Sequence, residues 1–253
     1  MRRIGLLGGT SWESSAEYYR RLNQGAQARL GGKSSADLVL RSLQFADVCA
    51  LQEAEDWAAL GAMYHREAAA LAAAGAEVIG ICANTMHLVH ADVVAGSGVE
   101  VVHVVDAVAD AAVAAQADRV LLLGTRYTMR SPDLYPARMA ARGIDVIVPD
   151  DADAAEVHRI IYDELVLGQV LDGSRDRLRA IVGTAAARGA RAVVLGCTEL
   201  GMLLDPADST LPVPALASTS LHVDALLEAA LAPHAARHHA PPLAEASLEE
   251  GAA

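Results

Sequence analysis

Residues 75–82, Gly-Ala-Glu-Val-Ile-Gly-Ile-Cys, and residues 189–197, Gly-Ala-Arg-Ala-Val-Val-Leu-Gly-Cys, decide the fold. Each stretch begins with a Gly-Ala pair that ends an alanine-rich helical pattern, continues as a short apolar run and finishes in a cysteine. A run that is apolar on both faces is typical of a parallel strand covered by helices on both sides. The two stretches therefore predict buried strands in parallel sheets.

The rest of the chain repeats this alternation of apolar runs and helical patterns. Such an alternation predicts a wound α/β architecture with mainly parallel sheets and right-handed connections. The expected strands are 3–8, 37–43, 78–82, 99–105, 119–124, 144–148 and 192–196. The expected helices are 13–30, 53–74, 106–116, 132–142, 152–170, 174–188 and 218–231.

The two halves of the chain also resemble each other. Cys82 and Cys197 are 115 residues apart, and so are the turns Gly9-Thr10 and Gly124-Thr125. Two separate motif pairs with one offset indicate a duplicated half-chain. We therefore expect two pseudo-symmetric three-layer α/β/α lobes with an active site in the cleft between them. The expected bounds are 1–95 with 211–231 for the first lobe, 96–210 for the second, and 232–253 as a disordered tail without apolar periodicity.

Composition excludes several classes of partner. The 253 residues carry 20 Lys and Arg against 32 Asp and Glu, a net charge of −12, and only nine aromatic residues. An acidic chain repels nucleic-acid phosphates and anionic membranes, and few aromatics leave little for base stacking. We expect no nucleic-acid partner and no membrane partner. Three cysteines make no disulfide framework, so we expect a cytoplasmic protein with reduced thiols.

Cys82 and Cys197 both stand where an expected strand gives way to a helix N-terminus, the usual place of a site in parallel α/β sheets. The positive end of a helix dipole favours the thiolate. Asn84, Thr85 and Thr198 add polar groups beside the thiols. Two like groups at one cleft suit inversion of a stereocentre, because one takes a proton from one face while the other delivers a proton to the opposite face.

Four motifs resemble those of the aspartate/glutamate racemase superfamily over nearly the whole chain. They are Ile4-Gly-Leu-Leu-Gly-Gly-Thr-Ser-Trp-Glu13, Cys82-Ala-Asn-Thr-Met-His87, Glu156-Val-His-Arg-Ile-Ile-Tyr-Asp-Glu-Leu165 and Gly196-Cys-Thr-Glu-Leu200. The resemblance implies a homodimeric amino acid racemase without cofactor or metal, acting on a small-molecule amino acid, with Cys82 and Cys197 as its acid/base pair. The substrate-binding residues that it implies are Thr10, Gln52, Ala83, Asn84, Thr85, Thr125, Glu164, Thr198 and Glu199.

Two departures from the family pattern bear on the substrate. Glutamate racemases carry a histidine where this chain has Glu199, which places the chain in the aspartate-racemase-like branch. Enzymes of that branch that are specific for acidic substrates tend to have a basic residue near Asp163 and Glu164. If Glu164 faces the cleft it repels an acidic side chain, so we expect a neutral or polar substrate and a broad specificity.

Several alternatives stay open. One is a dinucleotide-binding loop at Gly5-Leu-Leu-Gly-Gly9, although this stretch lacks the G-x-G-x-x-G spacing of such loops. Cys82, His87 and His90 with Cys197 have residue types that bind zinc, and Cys82 with His87 could form a cysteine hydrolase pair that leaves Cys197 without a role. Relatives that act on hydantoins, maleate or arylmalonates, or a non-catalytic two-lobed binding protein, would share the fold.

Two further features are expected to carry no chemistry. Cys49, placed before an expected helix, has no counterpart in the other half and is expected to have no role. The tail histidines His234, His238 and His239 give a weak alternative metal site.

Overall fold

A computed structural model describes residues 1–232, which fold into two parallel four-stranded sheets flanked by helices. The strands are β1 (Ile4–Gly8), β2 (Leu38–Ser42), β3 (Val78–Ile81), β4 (Glu100–Val102), β5 (Arg119–Leu123), β6 (Asp145–Ile147), β7 (Ala192–Leu195) and β8 (Ala215–Ala217). The first sheet has the order β2-β1-β3-β4 and the second the order β6-β5-β7-β8. The identical order in both sheets confirms the predicted pair of pseudo-symmetric α/β lobes.

Helices connect the strands. They are α1 (Trp12–Leu30), α2 (Phe45–Glu53), α3 (Trp57–Ala73), α4 (His90–Ser97), α5 (Val104–Ala114), α6 (Arg126–Arg130), α7 (Tyr135–Ala140), α8 (Asp151–Arg159), α9 (Asp172–Ala187) and α10 (Ser218–Leu231). Three 3-10 turns, Thr85–Val89, Leu165–Leu167 and Thr198–Met202, and one π-helical turn, Ile160–Glu164, complete the described elements. No helix of the described part of the chain has the length and apolar character needed to cross a lipid bilayer.

The central strands are apolar because both of their faces are covered. In β1, Leu6 packs into a cluster with Tyr18 and Leu22 of α1, while the next residue, Leu7, packs into a cluster with Leu60 of α3. Successive side chains of a strand point to opposite faces of the sheet, so each residue of β1 is buried by one layer of helices or the other. The second sheet is enclosed in the same way by one continuous core.

Two strands lie outside the lobe bounds expected from the sequence. β4 pairs with β3 in the first sheet, although its residues were expected in the second lobe. β8, which was not predicted, pairs with β7 in the second sheet, although residues 211–231 were assigned to the first lobe. The chain thus crosses between the lobes after β4 and after β8, and α10 packs against α1 of the first lobe.

Two expected helices are interrupted. The helix expected over 53–74 begins at Trp57, where Asp56 caps it by accepting from the Ala59 N–H, and α2 precedes it. Cys49 therefore lies inside α2 rather than before a helix. The helix expected over 152–170 ends as α8 at Arg159 and continues as the π-helical turn and a 3-10 turn. The expected tail with its histidines lies, apart from residue 232, outside the described residues.

Candidate active site

The carboxyl ends of the central strands of both sheets meet at one small polar cavity of about 60 Å³. Parallel strands all present their carboxyl ends at the same edge of a sheet, so the loops that follow β1 and β3 face those that follow β5 and β7. Eight of the nine predicted substrate-binding residues line this cavity. They are Thr10, Gln52, Ala83, Asn84, Thr85, Thr125, Thr198 and Glu199.

Cys82 follows β3 directly, but it is not among the residues that line the cavity, whereas Ala83, Asn84 and Thr85 after it are. Its N–H donates to the Leu7 carbonyl at 2.8 Å, which extends the pairing of β1 and β3 by one residue. The side chain is only 1% exposed and packs in an apolar cluster. Burial raises the pKa of the Cys82 thiol far above its ordinary value. Burial thus opposes the thiolate expected at a helix N-terminus, and the helical turn that follows Cys82 is short.

Cys197 follows β7 with Gly196 between them, one residue farther along than Cys82 after β3, and it lines the cavity. The preceding Gly196 N–H donates to the Leu123 carbonyl at 2.7 Å, the counterpart of the Cys82 backbone contact. The Cys197 thiol donates to Glu199 Oε2 at 3.0 Å. Burial first, and then the negative charge of Glu199 and this hydrogen bond, raise the pKa of Cys197 well above its ordinary value. Burial therefore opposes ionisation of both thiols.

Glu199 is held by two serines from the other lobe. Its Oε1 atom accepts from Ser11 Oγ at 2.8 Å and from Ser14 Oγ at 3.1 Å. Ser14 Oγ also lies 2.5 Å from Thr198 Oγ1. Sequence reasoning missed both serines, although Ser11, which accepts from the Ser14 N–H as the N-cap of α1, fits an ordinary capping signal. These contacts tie α1 to the Cys197 loop across the cleft.

A second set of hydrogen bonds joins the lobes beside Cys82. Thr85 Oγ1 lies 3.1 Å from Thr125 Oγ1 and 2.9 Å from Thr128 Oγ1. The Asn84 amide donates to Ser218 Oγ at 3.0 Å and its carbonyl oxygen accepts from the Tyr135 hydroxyl at 2.7 Å. Thr128, Tyr135 and Ser218 carried no sequence signal, since each lies on an element remote in sequence from Asn84 and Thr85. These polar side chains join the two lobes across the cleft, and they could also bind a polar ligand.

Glu164 is the one predicted substrate-binding residue that does not line the cavity. It is buried, and its carboxylate accepts from Arg159 Nη1 at 2.8 Å and from Ser174 Oγ at 2.5 Å. The π-helical turn adds a residue to this turn of helix and so rotates Glu164 away from the cleft. Tyr162 lines the cavity instead. The argument from Glu164 against acidic substrates therefore fails.

The cavity wall also bears on whether an acidic substrate side chain could be bound. Its apolar side is formed by Phe45, Met86, Ile161, Tyr162 and Val166. Among the described residues that line it there is no lysine and no arginine, and Glu199 is its acidic side chain. Such a lining offers a second carboxylate no cationic partner.

Both ring nitrogens of His87, five residues after Cys82, form hydrogen bonds with the backbone. His87 Nδ1 lies 2.9 Å from the Ala83 carbonyl oxygen, to which it must donate, and Nε2 accepts from the Val104 N–H at 3.2 Å. Neither nitrogen of His87 is then available as a metal ligand or as a base for Cys82. No group of three or more metal-ligating side chains occurs among residues 1–232. The metal and hydrolase alternatives thus lose the residue on which they depend.

Comparison with known proteins gives a consistent result. A family model described as Asp/Glu/Hydantoin racemase matches residues 7–226. The crystal structure of a protein from Yersinia pestis assigned as an Asp/Glu racemase superposes with a TM-score of 0.84 at 40% identity, covering 91% of this chain and 100% of that one. An aspartate racemase homologue from Pyrococcus horikoshii OT3 gives 0.79 at 33% identity, covering 91% and 99%. An aspartate racemase from Picrophilus torridus, 19% identical with a TM-score of 0.70 over 91% and 94%, shares the fold.

Proposed function

Because the chain belongs to the Asp/Glu/hydantoin racemase family, we propose that it interconverts the L and D forms of an amino acid without a cofactor, using Cys82 and Cys197 as the two proton-transfer groups. One observation carries this proposal. The two cysteines follow the equivalent strands β3 and β7 of two similar lobes, and both loops reach the same small polar cavity. A substrate held between the lobes would meet the Cys197 sulfur in the cavity lining, and the Cys82 sulfur would have to turn out of its apolar packing to reach the opposite side.

The reaction is a proton exchange at Cα. The thiolate of one cysteine removes the Cα proton, so that an S–H bond forms while the C–H electron pair moves onto Cα and the carboxylate. The thiol of the other cysteine then delivers its proton to the opposite face and becomes the thiolate. One turnover inverts the centre and exchanges the protonation states of Cys82 and Cys197.

Burial opposes ionisation of both thiols, so one of them needs activation, and Glu199 is placed to assist. Its carboxylate already accepts a hydrogen bond from the Cys197 thiol and can take the proton of that thiol. The α-ammonium group of an amino acid brings a positive charge to a cavity whose lining has none, which favours a thiolate there. The hydroxyls of Thr85 and Thr125 can bind the substrate carboxylate and stabilise the charge that develops on it.

We infer that the side chain of the substrate is neutral. The apolar wall around Phe45 and Tyr162, and the lack of a cationic side chain among the described lining residues, support this specificity. An acidic side chain would enter without a partner and close to Glu199, which disfavours its binding. This replaces the argument from Glu164 with one from the lining of the cavity.

The test is a panel of L-amino acids assayed for loss of optical rotation. Turnover of neutral amino acids is expected, and it should be abolished in Cys82→Ser and in Cys197→Ser but kept in Cys49→Ser. Turnover of aspartate alone would refute the proposed specificity. Undiminished ligand binding by both serine variants, with no turnover by the wild type on any amino acid, would instead indicate a binding protein.

Isotope labelling separates a two-base from a one-base mechanism. In D2O the first product formed should carry deuterium at Cα while the remaining substrate keeps its proton, because the proton removed and the deuteron delivered belong to different sulfurs. Return of the original proton to the product in most turnovers would contradict a two-base mechanism.

A further inference from the structure

Two side chains lie between the small polar cavity and a larger cavity next to it. Gln52 of α2 and Tyr162 of the π-helical turn line the small cavity, and they also line a neighbouring cavity of about 330 Å³, called the outer cavity below. The small cavity, with about 60 Å³, has room for about five water molecules. This is about the space that the α-carbon, ammonium and carboxylate of an amino acid occupy. The substrate side chain therefore needs space outside the small cavity.

The outer cavity offers polar groups without a net charge. Its charged side chains are all exposed and carry two charges of each sign. They are Glu53, Asp163, Arg126 and Arg159. His158 also lines this cavity, and burial, followed by the charge of Arg126, lowers the pKa of its ring, which is therefore neutral at pH 7. This balance favours a neutral ligand group over an ion.

Gln52 and Tyr162 both have hydrogen-bonding groups that are free for a ligand. The Gln52 side chain is 5% exposed, its amide nitrogen donates to the Met86 sulfur at 3.2 Å, and its carbonyl oxygen has no donor among residues 1–232. A thioether is a weak acceptor, and an amide in so enclosed a place normally has partners. The Tyr162 hydroxyl likewise has no hydrogen bond within the described part of the chain. Both residues can therefore bind a polar group that passes between the two cavities.

The π-helical turn fixes the place of Tyr162. Glu164 ends this turn, and its carboxylate is held by Arg159 and Ser174. The Tyr162 ring packs against the ring of His158, with 4.5 Å between the ring centres. π-helical turns are rare and often occur at functional sites. Here the turn gives the tyrosine a defined position between the two cavities, as selection of a ligand requires.

A third cavity, of about 450 Å³, adjoins Cys197 and Glu199 but suits a neutral side chain less well. Its lining contains three further carboxylates, those of Glu13, Glu17 and Asp205. Arg21 is the cation among its described lining residues, and it forms an ion pair with Glu17. The surplus of negative charge favours a cationic ligand there, which leaves the outer cavity as the place for a neutral side chain.

We propose that the substrate side chain extends between Gln52 and Tyr162 into the outer cavity, and that these two residues select neutral side chains that end in a hydroxyl or a carboxamide. This inference rests on the proposed racemisation and specifies its substrate class. The Gln52 carbonyl oxygen accepts from the O–H or N–H group of such a side chain, and the Tyr162 hydroxyl donates to its oxygen. An apolar side chain of the same shape leaves both groups without partners, which weakens its binding.

Pairs of L-amino acids with side chains of nearly equal shape test this selection. The pairs are serine with 2-aminobutyrate, asparagine with leucine, and glutamine with 2-amino-5-methylhexanoate, the polar member first. The kcat/KM for racemisation, and the Kd by isothermal titration calorimetry, are measured in wild type, Gln52→Leu and Tyr162→Phe. Gln44→Leu, at an exposed glutamine just before the same helix α2, is the matched control. Tyr162→Phe removes one hydroxyl and decides the test if Gln52→Leu does not fold.

In wild type the polar member of at least one pair should have the higher kcat/KM and the lower Kd, by about tenfold. Loss of one hydrogen bond should reduce this preference about fivefold in Gln52→Leu and in the same direction in Tyr162→Phe, whereas Gln44→Leu should stay within about twofold of wild type.

Two results would overturn the inference: no preference for the polar member of any pair in wild type, or a preference that the site variants leave unchanged or that Gln44→Leu reduces equally. Racemisation with such a result leaves the proposed function intact. If no amino acid is racemised but the difference in Kd is present and falls in Gln52→Leu, the proposed function is wrong and the selection by Gln52 and Tyr162 stands.

Discussion

Acid should destabilise this protein as the pH falls below 6.5, because a cluster of histidines close to the site is buried in the neutral form. The rings of His87, His103 and His222 are almost fully buried, and the His87 ring centre lies 4.7 Å from that of His103 and 5.4 Å from that of His222. His222 Nε2 must donate to the Val102 carbonyl oxygen, 3.0 Å away, so Nδ1 accepts from Tyr18. Protonation would break that second contact and bring a charge close to neighbouring rings.

Burial is the main cause that lowers the pKa of each ring, to about 4 for His222, to about 2 for His103 and well below the ordinary value for His87. Above pH 6.5 neither the folded nor the unfolded chain binds protons at these rings, and stability is at its full value. Below pH 6.5 the unfolded chain takes up protons that the folded chain does not. Stability is therefore lost as the pH falls from 6.5 towards 4.

The loss can be worked out for pH 5. Each ring that stays neutral in the folded state costs 1.36 kcal/mol per pH unit over the interval from 6.5 to 5, or about 2 kcal/mol. Three such rings give about 6 kcal/mol, a large part of the stability of a typical domain. Carboxylates whose pKa the fold lowers, such as Glu17 and Asp208, titrate below this interval and do not contribute to it.

Urea unfolding followed by circular dichroism at pH 7 and at pH 5 measures this difference. His222→Gln keeps an acceptor for Tyr18 and a donor for Val102 but removes one titrating ring, so its loss between the two pH values should be smaller by about 2 kcal/mol. The exposed His65→Gln is the control and should lose as much as wild type. A difference below about 1 kcal/mol in wild type, or an undiminished loss in His222→Gln, would refute the reasoning.

Two further predictions follow from single positions. Glu199→Gln removes the charge that, after burial, raises the pKa of Cys197, so alkylation of Cys197 by iodoacetamide should begin at lower pH. Substitution of the exposed Glu228 by Gln is the control and should leave the pH at which alkylation begins unchanged. An unchanged pH of onset in Glu199→Gln would exclude the electrostatic effect. Gly9 has a positive φ of 89° and an added Cβ would collide with the Leu43 backbone, so Gly9→Ala should lower the free energy of unfolding by about 3 kcal/mol or more. Gly98→Ala, at a left-handed φ of 63° but with open space around it, should cost only about 1 kcal/mol, and equal losses in thermal or urea unfolding would contradict the steric argument.

The features that the sequence predicted are those encoded by local pattern. The apolar runs around Val78–Ile81 and Ala192–Leu195 required burial on both faces, and this is enough to predict a parallel sheet. The common offset of the two cysteines then predicted two equivalent lobes and the cavity between them. Seven of the nine expected substrate-binding residues line that cavity because they follow the predicted strands closely, and an eighth, Gln52, is brought there by α2.

The features that sequence reasoning missed depend on contacts between remote elements. β4, which lies within the expected strand 99–105, and β8, which was not predicted, have three residues each, too few to indicate which sheet each would join. Glu164 fell at the expected place in the chain, but a single π-helical turn changed the direction of its side chain. Ser11 and Ser14 look like ordinary residues of a helix N-terminus until the fold brings them to Glu199.

The two cysteines follow corresponding strands of the two lobes, but their surroundings differ. The Cys197 thiol donates to the carboxylate of Glu199, whereas Cys82 packs among apolar side chains. A racemase with an equilibrium constant of one must use each sulfur both as acid and as base. Under the proposed mechanism the two thiols therefore need similar pKa values despite their different surroundings. The positive charge of the substrate ammonium, beside Glu199, can offset the negative charge of the carboxylate that raises the pKa of Cys197. The same Glu199 that departs from the histidine of glutamate racemases would then make activation of Cys197 depend on a bound amino acid.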